Sequence, residues 1–162
     1  MTVHEEFSAK LRTPFAVLGI RTDDRVVTQI RYLPLRERAS APRTPVARRV
    51  VTQLERYFDD PSYRFTLPLG RGGTAFQHRV WDAIADIPVG ESRTYAEIAR
   101  TVRSSARAVG GACGANRIAL VIPCHRVVGS RGAVGGFINA NAGEGIAIKR
   151  WLLVHEGYRF GQ

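Results

Sequence analysis

The strongest constraint on the fold is a glycine-rich junction, Gly70-Arg71-Gly72-Gly73, where the spacing of apolar residues changes. Before the junction, apolar and polar residues alternate in short stretches, which is typical of strands. After it, apolar residues recur at helical spacing behind capping motifs. We therefore expect an α+β protein of two domains, residues 1–70 and residues 71–162, with strands in the first and mainly helices in the second.

The first domain is expected to hold a small antiparallel sheet and one helix. A short polar segment, Thr22-Asp23-Asp24, separates two β-patterned stretches and predicts a hairpin. The expected elements are strands at Phe15–Arg21, Arg25–Tyr32 and Tyr63–Leu69, and a helix from Val46 to Phe58.

The second domain carries three helix-start signals. Thr74 with Gln77, and Thr94 with Glu97, each have the form of a capping box, in which two side chains satisfy free backbone N–H groups. Ser104 or Ser105 can cap a further helix from Ala106 to about Ala115. Two short helices with a tight turn between them predict a helix-turn-helix. The expected remainder is a cysteine turn, a glycine-rich loop over Gly129–Gly145 and a last helix to about Glu156, with Gly157 as its C′ residue.

Composition narrows the class of partner. The formal net charge is +10, which favours an anionic partner, nucleic acid first and a membrane surface second. The longest apolar run, Ile118–Ile122, is too short to cross a bilayer, and the N-terminus does not resemble a signal peptide. Two cysteines do not make a disulfide framework, so we expect a cytoplasmic protein with free thiols. The four histidines are scattered, and we expect no metal site.

Cys124 is the first candidate for chemistry. A thiol is a good nucleophile only as its thiolate, so a functional cysteine needs a nearby base or positive charge. His125 and Arg126 follow it directly and could supply either. A buried structural cysteine at a strand end explains the same residues, and local pattern alone favours that interpretation.

The proposed second helix of the helix-turn-helix is unusually rich in small residues. Glycine weakens a helix by roughly 1 kcal/mol relative to alanine, yet Gly110 and Gly111 lie in its middle. Small side chains allow close approach to a groove wall, and Arg107 near the helix start could reach phosphates or bases. A close contact between two helices is the alternative explanation.

Seven sequence blocks together resemble the O6-alkylguanine-DNA alkyltransferases. They cover residues 74–157, about half of the chain, whereas the first 70 residues resemble the variable N-terminal domain of that family only in outline. In order, the blocks are Thr74-Ala-Phe-Gln77 with Val80-Trp81, Ile87-Pro-Val-Gly90, Thr94-Tyr-Ala-Glu-Ile-Ala99, Arg107-Ala-Val-Gly110, Asn116, Ile122-Pro-Cys-His-Arg-Val127 and Leu152-Leu-Val-His-Glu-Gly157.

The resemblance implies a catalytic set of five residues. Cys124 would accept the alkyl group as a thiolate. His125 would remove the thiol proton through a water, and Glu156 would orient that histidine. Asn116 would brace the site, and Tyr95 would stabilise or protonate the departing guanine.

The resemblance also implies how DNA is bound. Arg107 would fill the space left when the damaged nucleotide rotates out of the duplex, with the second helix in the minor groove. The set implied to contact DNA is Thr94, Tyr95, Ala106, Arg107, Gly110 and Arg126, and the set implied to line the base pocket is Cys113, Val127, Phe137 and Ile138. Residues 71–162 would thus form the DNA-binding and alkyl-acceptor domain.

The expected function is DNA repair by direct reversal. The alkyl group of O6-alkylguanine, with O4-alkylthymine as a further lesion, would move irreversibly to Cys124, without cofactor or metal. The expected partner is double-stranded DNA containing alkylated guanine, bound by a monomer, with cooperativity left open. A lesion sensor, a cysteine hydrolase and a helix-turn-helix regulator are the alternatives. Two departures from the family pattern are Arg103-Ser104-Ser105 in place of a Gly-x-Pro turn, and a longer loop after Phe137.

Overall fold

The structure is a computed structural model that describes residues 6–130 and 144–160. It confirms the α+β class, with strands in the first part of the chain and mainly helices in the second. Two compact units are present: Met1–Arg71 with Arg117–Ala119, and Gly72–Asn116 with Leu120–Gln162. Residues 117–119 belong to the first unit, whereas a single boundary near residue 70 would have placed them in the second. Phe137, Ile138 and most of the predicted glycine-rich loop lie outside the described residues.

The first unit contains a three-stranded antiparallel sheet of β1 (Ala9–Arg12), β2 (Val17–Thr22) and β3 (Val27–Leu33), with β2 in the centre. The hairpin between β2 and β3 is confirmed, and the Asp23 carboxylate accepts hydrogen bonds from two backbone N–H groups of its turn. Strand β1 was not predicted. The buried apolar side chains of this unit include Val17, Leu18, Ile20, Val27, Ile30, Leu54, Tyr57 and Ile118.

The predicted strand Tyr63–Leu69 is wrong. This segment makes one parallel bridge, between Leu69 and Val27, and otherwise has no strand pairing. Its alternation has another cause, because the Phe65 ring packs 5.6 Å from that of Tyr57 on helix α1. Helix α1 (Pro45–Asp59) is confirmed, with Thr44 as its N-cap and a proline in its first turn.

The second unit begins with three capped helices. Helix α2 (Ala75–Ala85) and helix α3 (Tyr95–Val102) both start with the predicted capping boxes, and Ser105 caps helix α4 (Ala106–Gly114). Trp81 of α2 is buried and donates its indole N–H to the carbonyl of Ala112 at 2.9 Å, which ties α2 to α4. Residues 95–114 therefore form the predicted helix-turn-helix.

The turn of this helix-turn-helix uses an arginine where glycine is usual. Arg103 has φ +57°, in the left-handed region, and its N–H closes the last turn of α3. A non-glycine residue costs roughly 1–2 kcal/mol in this conformation. Arg103 therefore performs geometrically what the glycine of a Gly-x-Pro turn would do.

A short parallel sheet connects the helix-turn-helix to the cysteine turn. Strand β4 (Arg93–Thr94) precedes α3, and strand β5 (Val127–Val128) follows the cysteine; Arg93 pairs with Val127 and Thr94 with Val128. This pairing brings the first residue of α3 close to the cysteine turn. The last helix, α5 (Glu144–His155), ends before Gly157, whose φ of +88° suits the predicted C′ position. No helix among the described residues is long and apolar enough to span a membrane.

Candidate active site

Cys124 begins a single turn of 3₁₀-helix, Cys124–Arg126, immediately after Pro123. Its N–H bonds to the carbonyl of Ile122 at 2.8 Å, and the N–H of Arg126 bonds to that of Pro123 at 2.9 Å. These two bonds fix the backbone on both sides of the thiol. Cys124 is only 6% exposed, so it lies within the protein with its thiol free of any disulfide.

The Asn116 side chain is hydrogen-bonded to this turn. Its side-chain N–H₂ group donates to the carbonyl of Ile122 at 3.0 Å and to the Cys124 sulfur at 3.3 Å. The first bond holds the chain before the cysteine, and the second favours negative charge on the sulfur. Asn116 thus helps both to place the thiol and to stabilise a thiolate.

Cys113 lies next to Cys124 and shares a proton with it. The hydrogen bond that the Cys124 thiol donates to the Cys113 sulfur and burial both raise the pKa of Cys124, while Asn116 and Lys149 lower it. The net effect is a pKa well above the ordinary thiol value. The resting Cys124 side chain is consequently a thiol, and it needs a base to become a nucleophile.

His125 and Glu156 form a buried pair beside the cysteine. His125 Nε2 lies 2.8 Å from Glu156 Oε2, and both side chains are almost completely shielded from solvent. Burial lowers the pKa of His125, so its imidazole is neutral near pH 7. Burial raises the pKa of Glu156, but hydrogen bonds from His125 and Arg126 outweigh this and bring it to about 2. A carboxylate facing a neutral histidine requires the proton on Nε2, which leaves the Nδ1 lone pair available.

Arg126, which the resemblance implied to contact DNA, is held inside the protein. Its guanidinium donates to both carboxylate oxygens of Glu156, at 2.8 and 3.1 Å, and to the carbonyl of Ile87 at 2.7 Å. A side chain that is 14% exposed and makes three hydrogen bonds is part of the protein interior.

The Ile87-Pro-Val-Gly block forms a turn that passes close to Glu156. The turn is closed by a hydrogen bond from the Glu91 N–H to the Pro88 carbonyl, and Gly90 has φ +82°. A Cβ atom at Gly90 would lie 3.1 Å from the Glu156 carbonyl oxygen, so both the backbone conformation and the close approach favour glycine.

Tyr95 is the first residue of α3 and is half-buried near both cysteines. Burial raises the pKa of its hydroxyl, so it is protonated at neutral pH. Lys149 of α5 lies beside it, with Nζ 3.4 Å from the Tyr95 oxygen. The sequence patterns did not single out Lys149, because one lysine in an amphipathic helix is ordinarily solvated. In this structure it is 0% exposed.

The first turn of α4 is exposed, in contrast to the cysteine turn. Arg107 and Ala106 are exposed, and Gly110 is half-exposed one turn further along. A Cβ atom added at Gly110 or Gly111 would meet no described atom within 4 Å. Close packing between helices, the alternative explanation for these glycines, is therefore not what the described residues show.

Three of the remaining predicted residues lie within the described structure. Thr94 caps α3 through its side-chain oxygen and is half-buried. Val127 is buried directly after the cysteine turn, and the half-buried Cys113 lies beside Cys124. Phe137 and Ile138 lie outside the described residues. The described structure thus brings Tyr95, Cys113, Asn116, Cys124, His125 and Glu156 into one site and leaves Arg107 on the surface.

Comparison with known proteins shows the family to which the chain belongs. The family described as 6-O-methylguanine DNA methyltransferase, DNA binding domain, matches residues 75–158. A methylated-DNA–protein-cysteine methyltransferase of Methanosarcina mazei is 35% identical, covering 88% of this chain and 92% of the relative. The chain belongs to the methylated-DNA–protein-cysteine methyltransferase family. Its activity is DNA repair by transfer of a methyl group from O6-methylguanine to a protein cysteine.

Other members extend the likeness to most of the chain. A constitutive methylated-DNA–protein-cysteine methyltransferase of Bacillus subtilis is 44% identical over 68% of this chain and 66% of its own. The crystal structure of Mycobacterium tuberculosis OGT in complex with DNA has a TM-score of 0.77 and 38% identity, covering 91% of this chain and 90% of that one. The methyltransferase fold therefore includes the N-terminal sheet as well as the helical unit.

Proposed function

We propose that this chain removes alkyl groups from O6-alkylguanine in double-stranded DNA in a single irreversible turnover, with Cys124 as the acceptor. One observation carries the assignment to Cys124: its sulfur accepts a bond from Asn116 and its neighbour His125 is bound to the buried carboxylate of Glu156. A nucleophile, a base and a group that orients the base are thereby assembled in one place.

The proposed proton path runs from Cys124 to His125. Glu156 holds the proton of His125 on Nε2, so Nδ1 is the basic atom, and among the described atoms it has no hydrogen-bond partner. In our proposal a water carries the thiol proton to Nδ1. The resulting imidazolium is stabilised by the ionised Glu156, which supplies the charge that a buried cation requires.

The proposed transfer forms one bond and breaks one. The Cys124 thiolate attacks the alkyl carbon, a carbon–sulfur bond forms, and the electron pair of the carbon–O6 bond passes to the guanine. Tyr95 then gives its hydroxyl proton to the departing base, which leaves as neutral guanine. The thioether on Cys124 has no leaving group that water could displace readily, so each molecule acts once and needs neither cofactor nor metal.

The proposed DNA interface is the exposed side of the helix-turn-helix. Arg107 would insert into the duplex where the damaged nucleotide has flipped out, offsetting part of the lost stacking. Ala106 and Gly110, four residues apart on one helical face, would let α4 approach the floor of the minor groove, with Thr94 and Tyr95 at the backbone. The net charge of +10 favours this association.

Several finer assignments belong to the same proposal. Residues 71–162 form the DNA-binding and alkyl-acceptor domain, acting as a monomer in the cytoplasm. Cys113 and Val127 contribute to the base pocket, and O4-alkylthymine is a second lesion.

Reaction with an excess of duplex DNA containing O6-methylguanine tests the proposal. We expect the intact protein to gain one CH₂ unit and the reaction to stop at one lesion repaired per molecule. Cys124→Ser should gain no mass, whereas Cys113→Ser should still react. Continued turnover would indicate a hydrolase, and lesion binding by an unmodified wild-type protein would indicate a sensor.

A further inference from the structure

Lys149 is a fully buried lysine, 0% exposed, on helix α5 beside the reactive cysteine. Lysines are almost never fully buried unless they are paired, because removing an ammonium group from water is costly. A chain that needed only packing at this position could use leucine or methionine. The retention of an amine here therefore points to chemistry in the site, and its contacts show which group it acts on.

Lys149 contacts Tyr95 in two ways. Its Nζ lies 3.4 Å from the Tyr95 hydroxyl oxygen and 5.5 Å from the centre of the tyrosine ring, within the range of a cation–π interaction. Burial lowers the pKa of Lys149 to about 8, although the nearby Cys113 and Cys124 raise it. The amine is therefore still mainly protonated near pH 7.

The direction of this hydrogen bond matters for Tyr95. An ammonium group has only donors, so the Tyr95 oxygen must accept from Lys149 and its own proton must point elsewhere. Burial makes Tyr95 a weak acid in the resting protein. An adjacent positive charge has the opposite effect, because it stabilises the phenolate that remains after the proton has left.

We propose that Lys149 is a positioning residue for alkyl transfer, which orients the Tyr95 hydroxyl toward the departing guanine and stabilises the phenolate as that proton is given up. This inference rests on the proposed role of Tyr95. As the carbon–O6 bond breaks, the tyrosine proton moves to a ring nitrogen of guanine, and a proton of Lys149 Nζ can replace it. The protein ends with a thioether at Cys124 and a neutral amine that regains its proton from solvent.

A different role for Lys149 would be direct stabilisation of the Cys124 thiolate by its charge. The two roles differ in what they require of the alkyl donor. A charge beside the sulfur speeds reaction with any electrophile, including iodoacetamide, whose iodide leaves without a proton. Assistance through Tyr95 speeds only a reaction whose leaving group must be protonated.

Lys149→Met, Tyr95→Phe and the double variant distinguish these roles, with Lys10→Met as the control for loss of a lysine. Two rates are to be measured for each variant. The first is the single-turnover rate with O6-methylguanine DNA, and the second is the rate of Cys124 carboxamidomethylation by iodoacetamide. Lys149→Met should slow methyl transfer by about tenfold or more, with a much smaller effect on iodoacetamide. The double variant should be no slower than Tyr95→Phe alone, because both changes interrupt one pathway.

Equal losses in the two reactions, or losses that multiply in the double variant, would overturn the inference. Thermal unfolding checks each variant, and Lys149→Gln, which retains a donor without the charge, replaces Lys149→Met if the latter does not fold. The proposed function fails separately, since a wild-type protein that transfers no methyl group would contradict it whatever Lys149 does.

Discussion

The cysteine turn and the first turn of α4 differ in how firmly the protein holds their side chains. Around Cys124, the side chains of His125, Arg126 and Glu156 are buried or nearly so and are joined by hydrogen bonds of 2.8–3.1 Å. At the start of α4, Arg107 is exposed and the glycines that follow have open space around them. Both regions belong to the same helical unit.

This difference separates two tasks. A proton relay works only if its atoms are already in place, so burial and multiple bonds suit it. A surface that meets DNA must leave room for its partner, so exposed and small side chains suit it. Free O6-benzylguanine, which lacks the duplex, reports on the first task alone. Measuring the rate of alkyl transfer from both substrates therefore distinguishes variants of the two regions.

The largest effect is expected from Glu156→Gln. The amide keeps the shape of the side chain but cannot stabilise an imidazolium, so alkyl transfer should slow by about 100-fold on duplex DNA and on the free base alike. Single-turnover rates measure the effect, with Glu97→Gln as a control that keeps its capping bond. A fall in rate seen only with duplex DNA would contradict the proposal that Glu156 serves the chemistry and not the binding of DNA.

Arg107→Ala should give the converse result. Loss of the inserted side chain should slow repair of duplex DNA by about tenfold and leave the free-base rate unchanged. Arg48→Ala, which removes an equal charge from the exposed side of α1, is the matched control. Equal losses on both substrates would show that Arg107 supports the fold or the chemistry instead of the DNA contact.

Gly110→Ala should raise the stability of the protein and weaken its binding to DNA. Alanine should stabilise α4 by about 1 kcal/mol, because it has the higher helix propensity and its Cβ meets no described atom. The same methyl group should weaken DNA binding several-fold. Thermal unfolding and a DNA-binding titration measure the two effects. Gly111→Ala, on a different face, should gain stability without the loss, and a similar loss there would contradict the assigned face.

The smallest expected effect is on the pH dependence of the reaction rate. The pKa of His125 lies below its ordinary value of 6.5, mainly because of burial, so the base remains neutral as pH falls through 6.5. The rate with free O6-benzylguanine should accordingly fall only at lower pH, with a midpoint below 6.5. A midpoint at or above that ordinary value would mean that the buried pair does not control the base.

Local signals allowed much of the helical unit to be predicted. The capping boxes at Thr74 and Thr94 and the cap at Ser105 each depend on residues three positions apart, so they can be recognised along the chain. The predicted strand at Tyr63–Leu69 failed because alternation shows only which side chains turn toward the protein, and in this segment Phe65 packs against Tyr57 of helix α1.

Long-range pairings could not be predicted in the same way. The parallel pair of β4 and β5 has two residues in each strand, too few for any period to be visible, yet it places α3 beside the cysteine turn. Arg126 and Lys149 show the same limit. Their partners Glu156 and Tyr95 are 30 and 54 residues away, so nothing in the neighbouring sequence reveals that these cations face inward.

The central claim is that Cys124, and not its neighbour Cys113, receives the methyl group. Cys113 is a real competitor, because it is more exposed and the pair shares a proton that lowers the Cys113 pKa. Fragment mass spectrometry of wild-type protein that has reacted with O6-methylguanine DNA decides between them. We predict one methyl group on the Cys124 peptide and an unmodified Cys113. A methyl group on Cys113 would contradict the roles proposed for His125, Glu156 and the cysteine turn.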